Sequence, residues 1–211
     1  MRVSLSSAAF AALTIAGLIP IVGQMGVLGW GLAIAKRVMD HDPNPLPDVE
    51  FTADLVRGFY AFLIGLVYTL PITILSSIFG IFNAVATNSS SGDAAVAMVS
   101  VLSICLSIFS FIYGLACGFV LPAAYTNFLA RNSLAAGFNL SQVFGLVKAN
   151  PGAYLIVLLG TIVAGFIAPI GVIACVIGVL LTYAYSMAIM GHFYGQAHNE
   201  ATKNLAAAPL A

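Results

Sequence analysis

The chain is dominated by long stretches without charge. Residues 4–35, 58–83, 94–126 and 152–191 contain no Asp, Glu, Lys, Arg or His. Apolar runs longer than about 18 residues read as membrane spans. Across the chain 61% of residues are hydrophobic and 7% charged, whereas soluble domains carry about 25% charged residues. These features predict an all-α integral membrane helical bundle forming one domain over residues 1–211. The formal net charge of +0 excludes bulk attraction to nucleic acid, which needs clustered Lys and Arg. Proton and ion pathways use ionisable groups within spans despite a cost of about 2.5–3.5 kcal/mol each. Their absence argues against a proton-coupled transporter or pump and leaves open a channel lined by hydroxyls or carbonyls.

Of the four apolar blocks, 4–36, 55–83, 94–126 and 152–195, the first and last exceed one span, since about 20 residues cross the hydrocarbon core. Both carry similar text, "TIAGLIPIVG" from Thr14 and "TIVAGFIAPIG" from Thr161. Pro20 with Gly23, and Pro169 with Gly171, supply turn chemistry near the middle of each block. Hairpins there give six segments, about 4–19, 21–36, 55–83, 94–126, 152–168 and 171–195. The alternative is one long kinked first helix and five spans. With six, Arg2, Lys36, Arg37, Arg57, Arg131, Lys148 and Lys203 share one side, which the positive-inside rule makes cytoplasmic, with both termini. The opposite loop, "NAVATNSSSGD", carries no Lys or Arg and holds a sequon at Asn88. The N-terminus resembles a signal peptide but lacks a cleavage site followed by polar sequence, so it is expected to stay in the fold. Pro71 and Pro122 should kink their helices, with Thr69, Thr73, Ser76 and Ser77 satisfying backbone groups freed by the first kink.

The stretch "KRVMDHDPNPLPDVEF", residues 36–51, holds four of the seven acidic residues. Asp40, His41, Asp42, Asp48 and Glu50 are ligand types for a divalent ion. Adjacent side chains in a Pro-rich linker diverge, however, so the stretch reads as a hydrated connector and docking surface whose acids balance Lys36, Arg37 and Arg57. After it, Phe51, Leu55 and Phe59 form an apolar stripe, with Asp54 and Arg57 expected to face water. A second amphipathic connector, about 139–149, places Leu140, Val143, Phe144 and Val147 at helical spacing. Asn139 is its N-cap and Pro151 with Gly152 its end, as in a helix lying in the headgroup plane.

The order "GWGLAIAKRVMDHD…LPD", "RGFYAFLIGLVYTLP", "LPAAYTNFLARNSLAAGFNLSQVFGLVKANPGAYL" and "YSMAIMGHFYGQA" resembles prokaryotic membrane proteins grouped as domain of unknown function 4013. The resemblance covers most of the chain. It implies a helical bundle in the inner (cytoplasmic) membrane of a bacterium or archaeon, with the LPD and NPG-Tyr turns as architectural features. It brings no activity and no catalytic residues.

The best-organised internal feature is one helix face. Ala97, Ser100, Ser103, Ser107, Ser110, Gly114, Cys117 and Gly118 recur at three- and four-residue steps. Small residues let helix backbones approach closely, and hydroxyls bond across the contact. Ser100, Ser103, Ser107, Ser110, Gly114 and Gly118 are therefore the candidate packing or partner interface, the chain's own helices being one occupant and a partner's helix the other. Gly191 and Gly195 make a second GxxxG step. Cys105, Cys117 and Cys175 form no CxxC pair and read as packing residues. His192 reads as an interfacial anchor, and His192 and His198 are not at ligand spacing. No P-loop, HExxH, nucleophile elbow or intramembrane carboxylate pair occurs. The expectation is a non-enzymatic membrane protein without metal or cofactor, in contact with the lipid bilayer and other integral membrane subunits, as an accessory component. The alternative is a small transporter for a neutral or lipid-like solute, with a cavity near Pro71 and Pro122. Membrane remodelling through Leu140 to Val147 is a third reading.

Overall fold

The structure is a computed structural model that describes residues 7–88, 93–170 and 175–207. Its described residues are all helix and connector. The helices are α1 (Ser7–Met39), α2 (Phe51–Asn88), α3 (Asp93–Arg131), α4 (Leu134–Gly137), α5 (Leu140–Ala149), α6 (Pro151–Ile170) and α7 (Cys175–Ala207).

The first expected hairpin does not form. α1 is one helix of 33 residues that runs through position 20, so 4–19 and 21–36 are parts of a single element. A proline inside a helix leaves one carbonyl without its donor, whereas a turn there would free several backbone groups. The corresponding turn in the last block falls on residues 171–174, outside those described, between the separate helices α6 and α7. Among the described residues five long helices result, not six. Among the described residues, 51–86 and 97–131 are long and apolar enough to cross a membrane. The α5–α6 pair, bent by 96°, adds a third if it counts as one span.

Local chemistry sets the ends. α1 stops in a Schellman motif: Asp42 N donates to Arg37 O (2.9 Å) and His41 N to Val38 O (3.2 Å), with His41 left-handed at φ 57. α3 ends similarly, with Asn132 at φ 48 and Ser133 N donating to Phe128 O (3.3 Å). Asn139 caps α5 as expected, accepting from Gln142 N at 3.2 Å. Asn150 then caps α6, accepting from Ala153 N at 3.1 Å, with Pro151 at the first helical position, where its missing N–H costs nothing.

α1 lies between α2 and α7, and α7 also packs on α6. The closest approaches are at glycines. A Cβ on Gly29 or Gly58 would strike the backbone of the facing helix at the α1–α2 crossing, and one on Gly191 would strike Gly31 O at the α1–α7 crossing. The core gathers Leu32 and Ala35 of α1, Ile64 of α2, Ala124 and Phe128 of α3, Val143 of α5, Tyr154 of α6 and Met190 and Ala201 of α7. These residues come from the linker end of the bundle. Beyond it α2 and α3 continue with exposed apolar side chains, among them Ile74, Ile78, Ile81, Val101, Ile104 and Phe111.

Candidate functional site

The opening linker folds back onto the end of the bundle. Trp30 Nε1 donates to Pro47 O at 3.2 Å, and Arg37 Nη1 to Asn44 O at 3.1 Å. Lys36 Nζ pairs with Asp40 Oδ1 at 2.7 Å, and Arg37 Nε lies 3.9 Å from Asp42 Oδ2. Asp42 Oδ1 also accepts from Asn44 N at 2.9 Å. The Asp-His-Asp triplet is thus a helix stop with its acids on neighbouring cations. His is one of the few non-glycine residues enriched at positive φ.

The start of α2 departs from expectation. Asp54 does not face water: it is 3% exposed, while Phe51 and Phe59 are 64% and 45% exposed. Its Oδ2 accepts from Glu50 N at 3.1 Å, capping the helix, and its Oδ1 accepts from Arg57 Nη1 at 2.8 Å. Arg57 Nη1 also donates to Gly29 O at 3.2 Å. One carboxylate therefore ties together the cap of α2, the Arg57 cation and the α1–α2 crossing. Burial of this charge is tolerable because it is paired and both oxygens are bonded.

Three cavities surround this knot. The largest, about 820 Å³, has Glu50, Arg57, Tyr60, Phe128 and Asn132 among its walls. An apolar one of about 290 Å³ lies against Gly26, Trp30 and Asp54. A charged one of about 200 Å³ is lined by Lys36, Arg37, Asp48, Glu50 and Arg57, among others. None of the three is lined by Pro71 or Pro122.

The two prolines are built into helix packing. Thr69 donates to Gly65 O, Thr73 to Thr69 O and Ser77 to Thr73 O. Next to the carbonyl that Pro71 leaves without a donor, Tyr68 O receives Tyr113 Oη at 2.7 Å and Cys117 Sγ at 3.8 Å from α3. Thr126 Oγ1 donates to Pro122 O at 3.0 Å. Further ties at the linker end use amides that the sequence reading passed over. Asn127 Nδ2 reaches Ala136 O and Gln142 Oε1, Asn199 Nδ2 reaches Val38 O, and Asn204 Nδ2 reaches Ala149 O.

The Ser100–Gly118 face meets neighbouring helices at its last turn. Gly118 faces Leu158 of α6, and Cys117 faces α2. Higher up, Ser103 and Ser107 turn their hydroxyls onto Val99 O and Ser103 O of their own helix, both at 2.8 Å. Ser100, Ser107 and Gly114 are exposed, Ser103 and Ser110 half-buried. A Cβ on Gly114 would meet nothing within 4 Å. The other glycine step is spent internally: Gly191 and Gly195 seat α7 on Gly31, Ala35 and Val38 of α1.

On α5, Val143 and Leu146 are buried while Leu140 and Phe144 stay exposed, so the expected stripe divides between core and surface. The Asn88 sequon closes α2, and its Ser89 and Ser90 lie outside the described residues.

The family model described as "Protein of unknown function (DUF4013)" matches residues 12–192. The chain belongs to this family. No curated protein and no solved structure matches it. The DUF4013 match takes in the linker, the Asp54–Arg57 knot and the Ser100–Gly118 face, and stops within α7 short of His198.

Proposed function

We propose that this DUF4013 protein is a multi-pass integral membrane protein serving as a non-enzymatic accessory subunit within a larger membrane complex. The observation that supports it is the α2–α3 arm. Large apolar side chains are exposed along both helices, as lipid contact demands and water penalises. Within that arm, Ser100, Ser107 and Gly114 form a low, exposed track. A partner's helix can approach such a track closely, because packing rather than hydrophobicity drives association in lipid. The five long helices span the inner membrane of a prokaryotic cell. Lys36, Arg37, Arg57, Arg131 and Lys148 lie on the cytoplasmic side, as the positive-inside rule requires.

The test is purification from native membranes in a digitonin-type detergent, with mass spectrometry of everything that comigrates. A fixed set of integral membrane proteins at constant ratio is expected. Gly114→Leu should release that set while leaving thermal stability within about 0.5 kcal/mol, as for a surface position. A lone chain, or a set that survives Gly114→Leu, would refute this assignment. A lone chain that moves a neutral solute in vesicles would establish the transporter instead.

A further inference from the structure

The largest of the three cavities at the knot, about 820 Å³, opens between the start of α2 and the end of α3. Small-molecule sites typically measure about 300–1,000 Å³. Two opposite charges line it without meeting. The Glu50 carboxylate makes no ion pair or hydrogen bond among the described residues. Arg57 uses Nη1 for Asp54 and Gly29, while its Nη2 and Nε donate to nothing among the described residues. The same walls carry Phe51, Asn132, and the Tyr60 and Phe128 rings, which stand edge to face with centroids 6.0 Å apart.

Each group selects part of a ligand. A guanidinium edge with unused N–H groups takes a phosphate. A carboxylate among aromatic rings takes an ammonium. A purely anionic head would meet Glu50 unpaired, and a purely cationic one would meet Arg57. The cavity also sits where the charged linker gives way to the apolar length of α2, so its occupant is polar at one end only. We propose that this cavity binds the headgroup of a zwitterionic phospholipid. The ammonium lies by Glu50 and the rings, and the phosphate lies on Arg57 and Asn132. The acyl chains run along the exposed face of α2. This inference rests on the reading of α2 and α3 as membrane spans.

The test is native mass spectrometry of the detergent-purified chain offered equimolar phosphatidylethanolamine and phosphatidylglycerol. The wild type should retain phosphatidylethanolamine by about tenfold, the scale of one charge-assisted hydrogen bond. Glu50→Gln should abolish that preference, and Asn132→Gly, which suits the positive φ, should weaken retention of both lipids. Neither variant touches the buried Asp54–Arg57 pair, and circular dichroism verifies that each folds. Soluble glycerophosphoethanolamine should displace the bound lipid where inorganic phosphate at equal concentration does not. Equal retention of the two lipids, an unchanged preference in Glu50→Gln, or displacement by inorganic phosphate would each overturn the proposal. Alkaline carbonate extraction of the same membranes separates the two levels. A chain retained in the bilayer without headgroup preference refutes the site alone. A chain released by carbonate refutes the membrane reading and the site with it.

Discussion

The α1–α2 crossing sets the sharpest demand on the fold, and Gly29→Ala measures it. A methyl group there would collide with Asp54 O, and would lie 2.6 Å from Asp54 C and 2.7 Å from Gly58 N. Carbon contacts settle at about 3.5–4.0 Å, so the two helices must part by about 1 Å to admit it. All three obstructing atoms are backbone, and no side-chain rotation relieves them. Asp54 is moreover pinned by Glu50 N and Arg57, and Arg57 Nη1 by Gly29 O. Overpacking of this kind costs about 1–3 kcal/mol, and a rigid double-backbone contact belongs at the upper end. At about 2–4 °C per kcal/mol for a chain of this size, Tm should fall by about 6–12 °C. Gly26→Ala, one turn earlier on the same helix, meets nothing within 4 Å. It should be neutral or stabilise by up to about 1 kcal/mol through helix propensity alone. Thermal unfolding of both variants in one detergent decides the matter. Equal Tm for Gly29→Ala and Gly26→Ala would show that α1 and α2 do not cross at Gly29 and Gly58.

Two further predictions concern the linker end. His198, just past the apolar length of α7, is 8% exposed with no partner for Nδ1 among the described residues. Burial first, then Lys36, lowers its pKa from 6.5 to about 4. Between those values the unfolded chain binds a proton that the folded chain refuses. Stability should therefore rise by about 3 kcal/mol from pH 4 to 6.5 and level off above. His198→Leu should flatten that rise in urea titrations, and an unaltered slope would clear His198 of the effect. On α5, Val143 is fully buried and Phe144 is 44% exposed. Val143→Glu should then unfold the linker end through an unpaired buried charge, whereas Phe144→Glu should shift Tm by no more than a surface change does. Equal losses in the two variants would show that α5 does not divide between core and surface at these residues.

Some of this was legible from residues alone. Asn139 as a cap and the break of the 139–149 helix before Pro151 rest on short-range chemistry that the tertiary fold leaves intact. What failed was the assignment of faces. The stripe of Phe51, Leu55 and Phe59 suggested that Asp54 and Arg57 face water, as the polar side of an amphipathic helix does. Here Phe51 and Phe59 are exposed while Asp54, Gly58 and Ala61 are buried. Small and polar residues gain by meeting another helix, and on the proposed membrane reading the exposed apolar side chains contact lipid at no cost.

Spacing also cannot say which small-residue track is internal. Gly195 and Gly114 belong to matching GxxxG steps, yet among the described residues only Gly195 has a facing helix against it. A Cβ on Gly195 would stand 2.6 Å from Val38 Cβ and 2.7 Å from Ala35 O, and one on Gly114 would meet nothing within 4 Å. The difference lies in the facing helix. α1 offers Gly31 and Ala35 in register with Gly191 and Gly195, so two low surfaces meet along a line. Among the described residues no helix packs on the Gly114 side of α3, although Tyr113 beside it reaches Tyr68 O of α2 on another side. A low track is therefore a packing site only where a second low track lies opposite. On the proposed reading the surface opposite Ser107 and Gly114 is a partner's helix, the alternative is lipid, and Gly114→Leu distinguishes the two. A helix is expelled by the added side chain, and lipid chains rearrange around it.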